Sequence, residues 1–188
     1  PDDFGVMAMP GREIEAQGYV DEAIAYASAI KCRNINCIPG KTGGTAEAET
    51  VYRKNLALAC EKAAAHGIGI VIEPINQRDA PGYHFSLVEQ GLETLCAVGT
   101  DNLKLMFDCY HIQIMQGDLA QRLKSALPFL GHVQFAAVPD RGEPDSGEVD
   151  YPWLLTELDD MGWQGFVGAE YLPRGSTDEG LGWMNAYR

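Results

Sequence analysis

Basic residues are scarce in this chain: 14 Lys and Arg stand against 27 Asp and Glu, a net charge of −13 over 188 residues. A surface that acidic repels phosphate backbones and argues against a nucleic-acid partner. Apolar runs are short, and none approaches the length of a membrane span. No charged n-region followed by an apolar h-region opens the sequence. The five cysteines, Cys32, Cys37, Cys60, Cys96 and Cys109, are odd in number and include no CxxC pair. A disulfide framework and a zinc knuckle are thereby disfavoured, and reduced, mostly buried thiols in a cytoplasmic protein are expected. Low-complexity segments and long linkers are also missing, so residues 1–188 read as a single domain or part of one.

What is present is alternation of strand-like and helix-like segments. Residues 11–30 carry Ile14, Val20, Ala23, Ile24 and Ala27 at helical spacing. Residues 34–38 form a short strand, and residues 45–66 a long helix that Thr45 can cap, with Glu47 and Glu49 in its first turn. Ser86 with Glu89 predicts a capping box for a helix ending near Ala97. One helix is expected from Ile112 to Leu127, and a polar loop over 138–149. A helix over 151–161 and a closing helix over 177–187 complete the pattern. The strands are apolar throughout rather than alternating, as in parallel sheets covered on both faces. The pattern predicts an α/β parallel sheet, with about five strands where a (β/α)₈ barrel has eight.

Four strand-like segments end in a residue with an oxygen donor. They are residues 68–76 with Glu73, 103–111 with Asp108, 131–136 with Gln134, and 165–171 with Glu170. In a parallel barrel the C-terminal strand ends converge on one mouth, where chemistry is found. Oxygen donors of this kind suit Mg²⁺ or Mn²⁺ better than zinc or copper. Each acid also has a plainer reading, as a cap or an ion-pair partner. His111 lies three residues after Asp108, on the same face if the chain turns helical there. Three carboxylates around one divalent cation leave negative charge, so an anionic substrate needs a basic group. Arg141 and Lys41 both follow strand ends and are candidates. The stretch Ile-Pro-Gly-Lys-Thr at 38–42 is not a P-loop, because Ile35 stands where that motif needs glycine.

These motifs resemble the hydroxypyruvate isomerase family, within the xylose-isomerase-like (β/α)₈ barrels. The matching stretches include INCIPGKT (35–42), IEPIN (72–76), PGYHF (81–85), FDCYH (107–111), GHVQFA (131–136), RGEPDSGEVDY (141–151), GAEYLP (168–173) and GLGWM (180–184). The resemblance implies an incomplete TIM barrel whose first three strands have no counterpart in these residues, and hence a longer natural protein. It implies that Glu73 and Glu170 transfer protons and that Glu73, Asp108, Gln134 and Glu170 ligate the metal. His111 and Arg141 would contact substrate, and Lys41 and His84 are further candidates for that role. Ala137 departs from the family's usual aspartate. The implied reaction interconverts hydroxypyruvate and tartronate semialdehyde through an enediolate. Alternatives are a 2-oxo-tetronate isomerase of the same family, a ketose 3-epimerase, and a non-catalytic sugar-acid-binding barrel. A related metal-dependent endonuclease would need more than four histidines and a basic groove. The expected partner is a small hydroxy-oxo acid, with neither membrane nor nucleic acid, and homo-oligomers are left open.

Overall fold

The computed structural model describes residues 4–187, the side chain of Ala186 apart. Five strands form one sheet in the order β1 to β5: Asn34–Asn36, Gly69–Ile72, Leu103–Asp108, Leu130–Phe135 and Val167–Ala169. Every neighbouring pair is parallel. Helices alternate with the strands, giving the half-barrel that the strand count predicts. The outer strands β1 and β5 each pair on one side only. No helix among the described residues is long and apolar enough to cross a membrane.

Helix α1 (Glu13–Ile30) buries Ala16, Val20, Ile24 and Ala27, a stripe at helical spacing. Helix α2 (Ala46–Ala64) begins where the sequence indicates, the Thr45 hydroxyl accepting from the Ala48 amide at 3.3 Å. It packs Tyr52, Leu56, Ala59 and Ala63 on the sheet, all at 1% exposure or less. From β2 and β3, Ile70, Ile72, Leu105 and Phe107 point into this same layer and are completely buried. Each such side chain contributes about 2–3 kcal/mol through removal of its surface from water. The residues between them, Val71, Met106 and then Glu73 and Asp108, alternate to the other, concave face.

Three local expectations are corrected. The helix α3 (Val88–Val98) starts two residues after Ser86, and Gln90, not Ser86 with Glu89, makes the cap. Its Oε1 accepts from the amides of Ser86 and Leu87, both at 3.0 Å. The single helix expected after β3 is two, α4 (Cys109–Met115) and α5 (Leu119–Ala126). Gly117 and Asp118 between them take positive φ of 63° and 52°, which no α-helix accommodates. The closing helix is a single α turn, α7 (Thr177–Gly180), continued by a 3₁₀ segment, Leu181–Tyr187. Helix α6 (Tyr151–Asp160) stands as expected, capped by Asp150, whose carboxylate accepts from Trp153 N at 3.2 Å.

Candidate active site

Register places the site. Asp108, the last residue of β3, pairs with Gln134 of β4, and Gln134 pairs with Gly168 of β5. Partners in parallel register present their side chains to one face, so Asp108 and Gln134 stand side by side. Glu73 directly follows β2, and Glu170 directly follows β5. Pro74 after Glu73 removes an amide donor and lets the chain leave the sheet at that point.

Glu73, Asp108 and His111 offer ligand atoms that all lie within 4.8 Å of one another, and all three residues are buried. His111 Nε2 is 3.5 Å from Asp108 Oδ2 and 3.8 Å from Glu73 Oε1. Asp108 does two things. Its Oδ1 caps α4 by accepting from the Tyr110 amide at 2.8 Å. That cap turns the chain helical at once, which is why His111, three residues on, shares its face. Its Oδ2 is buried and, like Gln134 Oε1, has no hydrogen-bond partner among the described residues. Buried acceptors without donors cost stability, and a bound cation would satisfy both. The donor set of carboxylate and amide oxygens therefore fits a divalent cation.

Electrostatics agree. Burial, then the charges of Asp108 and Glu170, push the Glu73 carboxyl up to about 8. Burial raises the Asp108 carboxyl to about 7, with Glu170 adding to it and Arg141 opposing. Burial followed by the Arg141 guanidinium lowers His111 to about 3, so its imidazole is neutral at physiological pH. Protein groups alone thus leave the two carboxyls short of positive charge.

Glu170 is placed differently from the other acids. It is half-exposed, and its Oε1 is 3.1 Å from Arg141 Nη2. It shares the mouth, since its charge acts on both Glu73 and Asp108, but it lies outside the tight group. Arg141 reaches Asp108 Oδ2 at 3.8 Å and lies over the Tyr110 ring at 5.0 Å. Its left-handed backbone, φ 57°, belongs to a loop tied by Arg141 N to Ala137 O at 2.9 Å and Ala137 N to Gly142 O at 3.1 Å. Ala137 is fully buried beneath it.

The other two predicted contacts are occupied elsewhere. Both ring nitrogens of His84 have partners: Nε2 is 2.7 Å from Glu49 Oε2 and Nδ1 2.5 Å from Thr42 Oγ1. With the His84 amide bonded to Gly40 O at 3.0 Å, this ties the loop after β2 to the loop after β1. Lys41 is exposed, its ammonium 5.6 Å from the centre of the Phe4 ring. Sequence reasoning missed Asn36, which donates to Glu73 Oε2 at 2.8 Å, and Asn76, which touches His111. The available signal was a polar amide at or just beyond a strand's C-terminal end, as at Gln134.

A half-barrel whose strand ends gather buried carboxylates defines an α/β-barrel protein with a group that could hold a metal ion. The model of the family described as "Xylose isomerase-like TIM barrel" matches residues 2–187. The chain is 43% identical to a 2-oxo-tetronate isomerase of Cupriavidus necator, over 97% of this chain and 72% of that protein. It is 38% identical to hydroxypyruvate isomerase of Escherichia coli, over 98% and 72%. A solved structure titled AP endonuclease, family 2, from Brucella melitensis superposes with a TM-score of 0.94 at 40% identity, covering 98% of this chain and 72% of that one. The chain belongs to the xylose isomerase-like TIM barrel family, in the group that holds these hydroxypyruvate and 2-oxo-tetronate isomerases.

Proposed function

We propose that this chain is the C-terminal part of a metal-dependent isomerase of short hydroxy-oxo acids, with residues 1–188 in one barrel domain. The observation that carries the reading is two buried oxygens with no hydrogen-bond partner among the described residues, Asp108 Oδ2 and Gln134 Oε1, with Asp108 grouped with Glu73 and His111. Glu73, Asp108, Gln134 and Glu170 would hold a Mg²⁺ or Mn²⁺ ion. When bound, that ion supplies Lewis-acid polarisation of the substrate's carbonyl.

The remaining work falls to side chains. One of Glu73 and Glu170 removes the proton from the carbon beside the carbonyl, leaving an enediolate. A glutamate returns a proton to the neighbouring carbon while the hydroxyl proton passes to the former carbonyl oxygen, and the aldehyde and ketone have exchanged places. Burial of Glu73 raises its basicity, which suits it to proton abstraction near neutral pH. The neutral His111 donates to a substrate oxygen, and the Arg141 guanidinium pairs with the substrate carboxylate. The substrate is assigned as hydroxypyruvate, interconverting with tartronate semialdehyde. The four-carbon 2-oxo-tetronate is the second reading, favoured by the 43% identity to an isomerase of that name. Strong net acidity weighs against a nuclease role, and the five free thiols fit a cytoplasmic setting.

The test incubates the protein with each substrate in D₂O, with and without Mg²⁺ or Mn²⁺. Deuterium incorporation that depends on the metal supports an isomerase, and the faster substrate assigns its chemistry. No incorporation from either acid refutes the reading.

A further inference from the structure

Asn76 is completely buried at the end of the segment that leaves β2. Its amide orientation is fixed, because the side-chain oxygen accepts from the Asp79 amide at 2.8 Å. The side-chain nitrogen therefore faces its other two neighbours, Asp79 Oδ2 at 3.0 Å and His111 Nδ1 at 2.6 Å. The Asn76 backbone amide points at the same ring nitrogen from 3.4 Å. Two N–H groups converge on His111 Nδ1, which must present its lone pair to them. In a neutral imidazole the single proton then sits on Nε2.

We propose that Asn76 is a positioning residue that holds His111 in the Nε2–H tautomer, so that the ring acts as a hydrogen-bond donor in the site and not as a metal ligand. A nitrogen that carries a proton has no lone pair in the ring plane to give a cation. His111 lies geometrically within a ligand group with Glu73 and Asp108. Asn76 removes it from that set and leaves the cation to oxygen donors. The same frame supports the other substrate-facing group. Tyr110 donates to Asp79 Oδ2 at 2.7 Å, and Arg141 lies over the Tyr110 ring. Arg78 ties the frame down, donating to Tyr110 Oη and to Pro139 O, each at 2.9 Å. Donor placement at His111 and guanidinium placement at Arg141 thus share one hydrogen-bonded support.

The catalytic consequence rests on the isomerase reading; the tautomer does not. Long-range ¹H–¹⁵N NMR of the ¹⁵N-histidine-labelled wild-type chain reads the tautomer directly, with His111 assigned among the four histidines by its loss in His111→Gln. The expected result is a bare Nδ1 and a protonated Nε2. In Asn76→Asp the new carboxylate accepts, so the proton moves to Nδ1. Turnover should then fall about 10²-fold, as for other residues that orient a histidine, with KM little changed. Circular dichroism checks that the variant folds. A protonated Nδ1 in the wild type overturns the proposal. So does a shifted proton with unaltered kcat, or a lost kcat with the proton still on Nε2. A wild-type chain with the expected tautomer but no isomerase turnover refutes the activity and leaves the His111 assignment standing.

Discussion

Replacing Asp108 with asparagine should stabilise the metal-free protein while disabling its site. Burial, aided by Glu170, raises this carboxyl from 3.8 to about 7. An acid whose folded pKa lies above its unfolded value favours folding while protonated. Its contribution is intact below about pH 4 and is lost as pH rises through about 7. A displacement from 3.8 to about 7 corresponds to ~4 kcal/mol lost by pH 8. Asparagine carries no charge and keeps an oxygen to accept from the Tyr110 amide, so the cap on α4 survives. Its new N–H₂ group replaces Oδ2 in a buried setting and costs about 1–2 kcal/mol if unpaired. The net expectation at pH 8 is a gain of about 2–3 kcal/mol. For a chain of this size that is a rise in Tm of about 5–10 °C. At pH 4 the charge contribution is absent and only the unpaired amide remains, so the variant should be about 1–2 kcal/mol less stable than the wild type. Thermal melts in EDTA at both pH values measure it, and a parallel series in millimolar Mn²⁺ should stabilise the wild type far more than the variant. An Asp108→Asn protein that melts lower at pH 8, or that shifts equally at both pH values, would refute the reasoning.

The other expectations can be checked with the same preparations. Glu73→Gln and Glu170→Gln should each lower isomerase turnover about 10²–10⁴-fold with the circular dichroism spectrum unchanged; retention of more than about a tenth of the rate removes that glutamate from proton transfer. Gln134→Leu deletes a buried acceptor that has no partner, so calorimetric titration should show weaker Mn²⁺ binding with little loss of thermal stability. Glu49→Gln should cost about 1–2 kcal/mol at pH 7. Burial works against this carboxylate, yet hydrogen bonds from His84, Thr94 and Arg53 hold it down at about 2. The contribution of such a depressed acid is present above its unfolded value and disappears as pH falls through about 2, so the variant and wild type should converge in acid. Leu105→Ala, at a site with no exposure, should cost about 2–5 kcal/mol in denaturant titration.

Element existence was legible because burial imposes a period. Helix α1 shows its apolar stripe, and Thr45 announces the helix start that it caps. The boundaries that were missed turn on local choices between competing caps and backbone conformations. Ser86 looks like a cap, but Gln90 reaches back to two amides and takes the role. The break between α4 and α5 depends on two positive-φ residues whose conformations a propensity pattern does not weigh. In the site, Glu73, Asp108, Gln134 and Glu170 were visible as polar ends of apolar strands. His84 carried the same chemical promise, yet its ring is used to join two loops.

The order of residues along the chain was enough to specify parallel strands ending in oxygen donors, because side-chain alternation and buried hydrophobicity are local properties. Which donors converge was decided by strand register, which aligns Asp108 with Gln134 across β3 and β4. Tertiary packing alone put Asn36 against Glu73 and Asn76 against His111, over separations of 37 and 35 residues. It also set the protonation of the site, since the burial that raises two carboxyls and lowers a histidine exists only once the elements are packed.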